Sequence, residues 1–414
     1  MKDPGILVVD VGTTKVCALI GEFKEGDLWI TGIGLAPSFG LKKGIVIDID
    51  EATASIHKAI ETALNHAKVD IDRLYVYTSI AGSHIKMCTG MGIRVLKQQE
   101  VTLEDIQDVI ETAQNTAQTD DEKVIHALPK EYIIDRQRGI LKPLGMTGKK
   151  LEAHVNLITC SPSAYQNLLK CFERIGVNVT DVIFQGLASA EAVLTPEEKE
   201  LGVIVIDFGG GTTDVVAYWG GVLRYAFSLP VGGELLTNDL AIGLRTSKLE
   251  AERVKREKGV CLTDLIQDDE IIEVPGIGNR PPRKVSREYI GEILEARVKE
   301  VFELIQRELT RYFEEEIAAG EWKSTFGSGI VLTGGSALLP GMMLLADQMF
   351  DLPTKVGYPQ SLNGLTEEIN SPQFATAVGM LICAWNDVSS ELEGGGPGIL
   401  DKVKKIFQKL FKGG

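Results

Sequence analysis

Two stretches of the chain carry the same set of functional side chains in the same order. Residues 10–15 read DVGTTK and residues 207–214 read DFGGGTTD. Each follows a short apolar run rich in β-branched residues, ILVV and VIVI, and precedes another, so each reads as strand, tight turn, strand. Glycine lets a turn's backbone come close to a ligand, and turn amides with threonine hydroxyls donate hydrogen bonds to phosphate oxygens. Asp10 and Asp207 end the first strands, where a carboxylate can serve a cation. Two such turns facing each other would clamp a polyphosphate from both sides, and Mg²⁺ between the two carboxylates would offset their repulsion. No GxxxxGK[ST] stretch is present, so this is not a P-loop. A third glycine motif, GIVLTGGSALLPGM at 329–342, reads as a strand, the turn Gly334-Gly335-Ser336 and a helix. Amides at such a turn suit the phosphate, sugar or base of a nucleotide.

The elements that must position these turns follow from the rest of the chain. Its 414 residues, 44% apolar and 24% charged, are ordinary globular composition and enough for two to four domains. A net charge of −15 argues against general nucleic-acid binding. Six cysteines in no CxxC pair and five scattered histidines predict neither a zinc site nor a disulfide framework, and fit a reducing cytoplasm. The N-terminal apolar run is short and broken by Asp10, unlike a signal peptide, and no run approaches the ~18–20 residues of a membrane span. The duplicated clamp implies two similar lobes, each a mixed sheet with helices. Residues 83–160 interrupt the first, with a helix over 102–117 capped by Thr102 and strands in VIHALPKEYIID and LEAHVNLITC. Residues 233–313 interrupt the second, with a helix in SKLEAERVKREKG, a strand pair around EIIEVPGIGNRPPRKV and a long helix from Ser286. On that helix Tyr289, Ile290, Ile293, Leu294, Val298, Val301, Phe302 and Ile305 share helical spacing.

The three glycine motifs, with the helices FQGLASAEAVL (184–194) and SPQFATAVGMLICAW (371–385), resemble the actin-like ATPase superfamily over residues 1–388. Within it, SIAGSHI (79–85), KPLGMTGKKLEAHVNLITC (142–160) and SPQFATAVG (371–379) resemble the FtsA family of bacterial cell-division proteins. The resemblance implies an α/β, actin-like ATPase fold: two lobes around a central nucleotide cleft, an FtsA-type 1C insertion and a C-terminal amphipathic helix. It implies ATP and Mg²⁺ as cofactors. Asp10, Gly12, Thr13, Thr14 and Lys15 would form the first phosphate loop, and Asp207, Gly209, Gly210, Gly211, Thr212 and Thr213 the second. Asp10 and Asp207 would hold Mg²⁺ through waters, with Asp214 a further carboxylate nearby. Gly334, Gly335 and Ser336 would contact the adenosine, Glu252 and Lys255 the base and ribose, and Gln185 would orient the attacking water.

The same resemblance implies subdomain 1A at 1–82, 161–200 and 358–388, 1C at 83–160 for self-interaction, 2A at 201–232 and 314–357, and 2B at 233–313. A linker at 389–397 and an amphipathic helix at 398–414 follow. It implies a polymerising protein that binds the C-terminal peptide of FtsZ through 2B and binds other divisome proteins; among the basic residues of that stretch, Arg280, Arg283, Lys284, Arg287, Arg297 and Lys299, the pair Arg297 and Lys299 are candidate contacts. That protein would anchor the FtsZ ring to the cytoplasmic face of the inner membrane at the division site, with at most slow ATP hydrolysis. A sugar or acetate-type kinase lacks a substrate pocket here, and a DnaK-type chaperone would need a β-sandwich domain. An MreB-like filament or PilM-like pilus-assembly protein is a nearer alternative, but neither accounts for the tail.

That tail reads ILDKVKKIFQKLFKGG after the glycine-rich NDVSSELEGGGPG. Ile399, Leu400, Val403, Ile406, Phe407, Leu410 and Phe411 fall on one helical face, and Lys402, Lys404, Lys405, Lys409 and Lys412 on the other. Five lysines against Asp401 give +4 in a chain of −15. A tethered basic amphipathic helix reads as an anchor to anionic lipids. Phe407→Glu or Phe411→Glu is expected to release the full chain from anionic vesicles in co-sedimentation. Vesicle binding that survives deletion of 398–414 would remove the anchor.

Overall fold

The computed structural model describes residues 5–392 except 25–26, 99, 118–120, 268–269, 279, 361 and 365–366. Both hairpins form as the spacing predicts, and each is the centre of a sheet with the same strand order. In the first lobe the strands run Asp27–Pro37, Lys15–Lys24, Gly5–Val11, Leu74–Ile80, Asp181–Phe184, with a two-residue strand, Asn363–Gly364, outside the first. In the second they run Val222–Leu229, Thr213–Trp219, Val203–Phe208, Ile330–Thr333, Thr354–Val356. In each lobe the hairpin strands pair antiparallel and the later strands add in parallel. The central strands, GILVVDV and VIVIDF, are buried along their whole length, which is why they read as continuous apolar runs rather than alternating ones.

Two helices join the lobes. Ala375–Leu392 lies on the first lobe's central strands, Gln185–Val193 reaches the second lobe's, and the two helices pack on each other. The crossing is close because small residues meet: a Cβ added at Gly379 would sit 1.7 Å from the Ala188 carbonyl oxygen. The second helix runs to Leu392, four residues into the stretch read as linker from 389. The tail residues 398–414, with every proposed membrane contact from Ile399 to Phe411, lie outside the described residues.

The first insertion is an antiparallel sheet ordered Lys86–Val95, Lys150–Cys160, Lys123–Ile134, Gln137–Ile140, packed against the helix Leu103–Ala117 around its own core. Thr102 caps that helix: its hydroxyl accepts from the Asp105 N–H at 3.2 Å, and the Asp105 carboxylate accepts from the Thr102 N–H at 3.0 Å. The insertion is tied to the second lobe by the buried Asn156, whose Nδ2 donates to the Leu223 carbonyl at 2.7 Å. At its entry, the Gly82 N–H donates to Ser228 Oγ at 3.1 Å. The second insertion holds the helix Lys248–Lys258, the hairpin Ile271–Val274 with Arg283–Ser286, and the helix Arg287–Tyr312 capped by Ser286. Of the apolar positions on that last helix, Ile290, Leu294, Val298, Val301, Phe302 and Ile305 are buried, whereas Tyr289 stays on the solvent side.

Gly379→Ala forces a methyl against a backbone oxygen and must part the two connecting helices. Overpacking of this kind costs on the order of 2 kcal/mol, expected as a lower midpoint in chemical denaturation.

Candidate functional site

The turns of the two hairpins face each other across a cleft of about 430 Å³. They close alike: the Gly12 N–H donates to the Lys15 carbonyl at 3.1 Å, and the Gly209 N–H to the Thr212 carbonyl at 3.0 Å. They also interlock. A Cβ added at Gly210 would lie 2.4 Å from Thr14 Cγ2, and one added at Gly211 would lie 2.3 Å from Thr13 Oγ1. The threonines of one turn occupy the space that side chains on the other would need. Thr13 Oγ1 also accepts from the Gly44 N–H at 3.2 Å, which fixes its rotamer.

Three buried carboxylates form the floor. Asp10 accepts from Ser79 Oγ at 2.9 Å and from Gln185 Nε2 at 3.2 Å. Asp207 accepts from Ser189 Oγ and, at 3.2 Å, from Thr376 Oγ1, both on the connecting helices. Asp214 stands directly opposite Asp207 in the hairpin register. It accepts from Thr212 Oγ1 at 3.3 Å, and its Oδ1 is buried without a partner. Burial is the main cause that pushes all three carboxyls up: Asp10 to about 6, Asp214 to about 8 with help from the Asp207 charge, and Asp207 in the same direction. The Lys15 ammonium is held down by burial. Its Nζ donates to the Gln373 carbonyl at 2.7 Å and lies 3.6 Å over the Phe374 ring.

The opposite wall is polar as well. Lys255 Nζ pairs with Glu252 at 2.7 Å and donates to the Gly233 carbonyl at 3.1 Å and Thr237 Oγ1 at 2.8 Å. Gly334, Gly335 and Ser336 line the cleft, and Ser336 Oγ donates to the Gly209 carbonyl at 3.3 Å. Donors for anionic oxygens on one side, and a buried carboxylate cluster with an orphaned oxygen on the other, match a polyphosphate with a divalent cation. Among the described residues no group of three or more His, Cys, Asp or Glu side chains is arranged so that it could hold a metal ion.

The family model described as Cell division protein FtsA matches residues 204–379, and the one for the SHS2 domain inserted in FTSA matches residues 82–159. The Cell division protein FtsA of Pseudomonas aeruginosa is 42% identical over 378 residues, covering 91% of this chain and 88% of that one. The chain belongs to the FtsA family. The FtsA of Neisseria meningitidis serogroup B is 40% identical and covers 98% of both chains. The actin-like fold extends to more distant proteins. A PilM–PilN type IV pilus biogenesis complex aligns with TM-score 0.62 at 15% identity, covering 91% of this chain and 98% of that one. MreB 5 of Spiroplasma citri bound to AMPPNP aligns with TM-score 0.58 at 15% identity, covering 95% and 100%. The chain is thus an actin-like cell-division protein with an SHS2 insertion. No helix among the described residues is long and apolar enough to cross a membrane.

Of the cleft residues expected from the sequence, the structure gathers Asp10, Gly12, Thr13, Thr14, Lys15, Gln185, Asp207, Gly209, Gly210, Gly211, Thr212, Asp214, Glu252, Lys255, Gly334, Gly335 and Ser336 around one cavity. Thr213 is the exception. It opens the second strand of its hairpin, is fully buried and donates to the Val231 carbonyl at 2.8 Å, so its hydroxyl faces the core instead of the cleft. Arg297 and Lys299 stand apart from the cleft and are already paired, Arg297 with Asp239 at 2.5 Å and with Glu300, Lys299 with Glu295 at 2.6 Å.

The sequence reading missed Gly233 and Glu234, at the start of the helix Gly233–Leu244, where the Glu234 N–H donates to the Gly210 carbonyl at 2.8 Å. The VGGE at 231–234 just before an apolar helical pattern was the available signal. Ser79, Ser189 and Thr376, which hold the carboxylates, gave no signal, because an isolated hydroxyl in a strand or helix looks like any other.

The raised carboxyls carry a stability consequence. Folded Asp10 and Asp214 keep protons that the unfolded chain gives up near 3.8, so the free protein loses stability as pH rises from about 4 through 8. Asp214→Asn is expected to flatten this slope and to stabilise the nucleotide-free protein at pH 8.5, relative to its effect at pH 5, by on the order of 3 kcal/mol in denaturant titrations.

Proposed function

We propose that this chain binds Mg·ATP between its two lobes, polymerises, and fastens FtsZ filaments to the cytoplasmic face of the inner membrane at the division site. The observation that carries the nucleotide reading is the pair of interlocking turns above three buried carboxylates, one with an unpartnered oxygen. Asp10 and Asp207, with Asp214 beside them, would hold Mg²⁺ through water. The cation would neutralise charge on the β- and γ-phosphates and between the carboxylates. Lys15 would leave the Gln373 carbonyl for a phosphate oxygen, and the amides of both turns would take the remaining oxygens. Glu252 and Lys255 would reach the ribose and base, with Gly334, Gly335 and Ser336 against the adenosine. Gln185 would orient a water for hydrolysis that is slow, because the nucleotide serves as a polymerisation switch.

FtsZ would enter through its C-terminal peptide at 233–313. Arg297 and Lys299 are its proposed contacts, and an acidic peptide would have to compete with Asp239, Glu300 and Glu295 for them. The insertion at 83–160 would contact the next copy in a filament. Each tail helix would hold anionic lipid weakly, with roughly 1 kcal/mol per lysine near the surface. A filament presents many tails on one face, and effective concentration raises avidity by about 10²–10⁴ without new contacts. ATP-driven polymerisation would in this way convert a reversible contact into firm attachment. Further divisome proteins would dock on the assembled filament.

Asp10→Ala and Asp207→Ala each remove a principal charge from the cation site. Isothermal titration with Mg·ATP is expected to show affinity at least about 30-fold weaker in each, some 2 kcal/mol, and the loss should disappear when EDTA replaces Mg²⁺. Wild-type affinity in both variants would overturn the clamp.

A further inference from the structure

Ser79 belongs to none of the glycine motifs and does not line the cleft, yet its hydroxyl is committed to Asp10 and Gln185, which do, and to Val11 of the first turn motif. It lies in the strand Leu74–Ile80 and is 1% exposed. A hydroxyl has one proton and two lone pairs. Ser79 Oγ donates to Asp10 Oδ1 at 2.9 Å, and it accepts from the Val11 N–H at 3.0 Å and from Gln185 Nε2 at 2.9 Å. Gln185 Nε2 is also 3.2 Å from Asp10 Oδ1 and 3.4 Å from the Val11 carbonyl. A carboxylate and a backbone carbonyl only accept, so the amide nitrogen, not the oxygen, must face them. Both amide protons are thereby taken up, and the one hydrogen-bonding atom that Gln185 has left is Oε1, an acceptor. Gln185 lines the cleft.

We propose that Ser79 is a positioning residue that locks the Gln185 amide with its nitrogen toward Asp10, so that the carbonyl oxygen is the group offered to a water in the cleft. The proposal rests on the reading of the cleft as an ATP site. A carbonyl that accepts one water proton turns a water lone pair outward. In the reaction this serves, the water oxygen bonds to the γ-phosphorus and the bond to the bridging oxygen breaks, leaving its electron pair on ADP. One water proton stays on inorganic phosphate and the other passes to solvent. Without Ser79 the shortest of the three contacts on Nε2 is lost, and the longer ones to Asp10 and the Val11 carbonyl hold the amide less firmly, so its oxygen is offered in the productive position less of the time.

The test uses the full chain assembled on anionic phospholipid vesicles. Mg·ATP affinity is measured first, and single-turnover hydrolysis of γ-labelled ATP second, for wild type, Ser79→Ala, Gln185→Ala and the double variant. Ser79→Ala is expected to bind Mg·ATP within about 3-fold of wild type and to hydrolyse it roughly 10–100-fold more slowly. If Ser79 acts through Gln185, the double variant is no slower than Gln185→Ala alone, a coupling that a merely structural serine would not produce. Should the alanine variant fold poorly, Ser79→Cys keeps the volume while weakening the hydrogen bonds, and it is expected to lose turnover in the same way. Independent, multiplying losses overturn the proposal. So does a wild-type rate in Ser79→Ala, or a wild-type chain that binds ATP but hydrolyses none. A wild-type chain that fails to bind Mg·ATP at the first step overturns the nucleotide reading itself, and the proposal falls with it.

Discussion

The two lobes can approach as closely as they do because one hairpin turn has side chains where the other has none. Thr13 and Thr14 fill the space that β-carbons at Gly211 and Gly210 would need, within 2.3–2.4 Å. Any larger residue in the second turn would hold the lobes apart. The separation of the turns sets the width of the cleft and decides whether Asp10 and Asp207 can share one cation. It also sets the meeting of the connecting helices, which cross closely enough to place Gly379 against the Ala188 carbonyl. The insertion follows the same constraint, since its ties to the second lobe, Asn156 to Leu223 and Gly82 to Ser228, exist only at this separation.

The duplication is not symmetric where the charge lies. In register, Asp10 faces Cys17 and Asp207 faces Asp214. The Cys17 thiol is fully buried and its pKa is pushed up to about 12, so it adds no charge, while Asp214 adds a third carboxyl to the second lobe. The carboxyl groups are concentrated at the floor of the cleft, and hydroxyls from surrounding elements donate to Asp10 and Asp207. Ser79 comes from a strand of the first lobe, and Ser189 and Thr376 come from the connecting helices. Asp10, through Gln185, and Asp207, through Ser189 and Thr376, are in this way held by the connecting helices, so their charge state and the arrangement of the lobes are linked through ordinary hydrogen bonds.

Much of this was legible in the sequence, and the reason is local. A strand buried on both faces must be apolar throughout, and a tight turn that approaches a ligand must be glycine-rich. Both hairpins, the third turn, the cap at Thr102 and the long helix from Ser286 therefore announced themselves. The duplicated motif told of two like lobes, and the tail's lysines and apolar face are a property of composition alone. Only the tertiary structure decided which threonine of a Thr-Thr pair points where. Thr212 faces the cleft from the turn, and once the strand begins side chains alternate, with Thr213 toward the core and Asp214 toward the cleft. It also decided that Arg297 and Lys299 are already paired, and that Ser79 and Gln185, 106 residues apart, meet at Asp10. Those outcomes depend on contacts between segments distant in the chain, and no local pattern records them, since a serine in a strand has the same neighbours in sequence whether or not it holds a glutamine from the other end of the lobe.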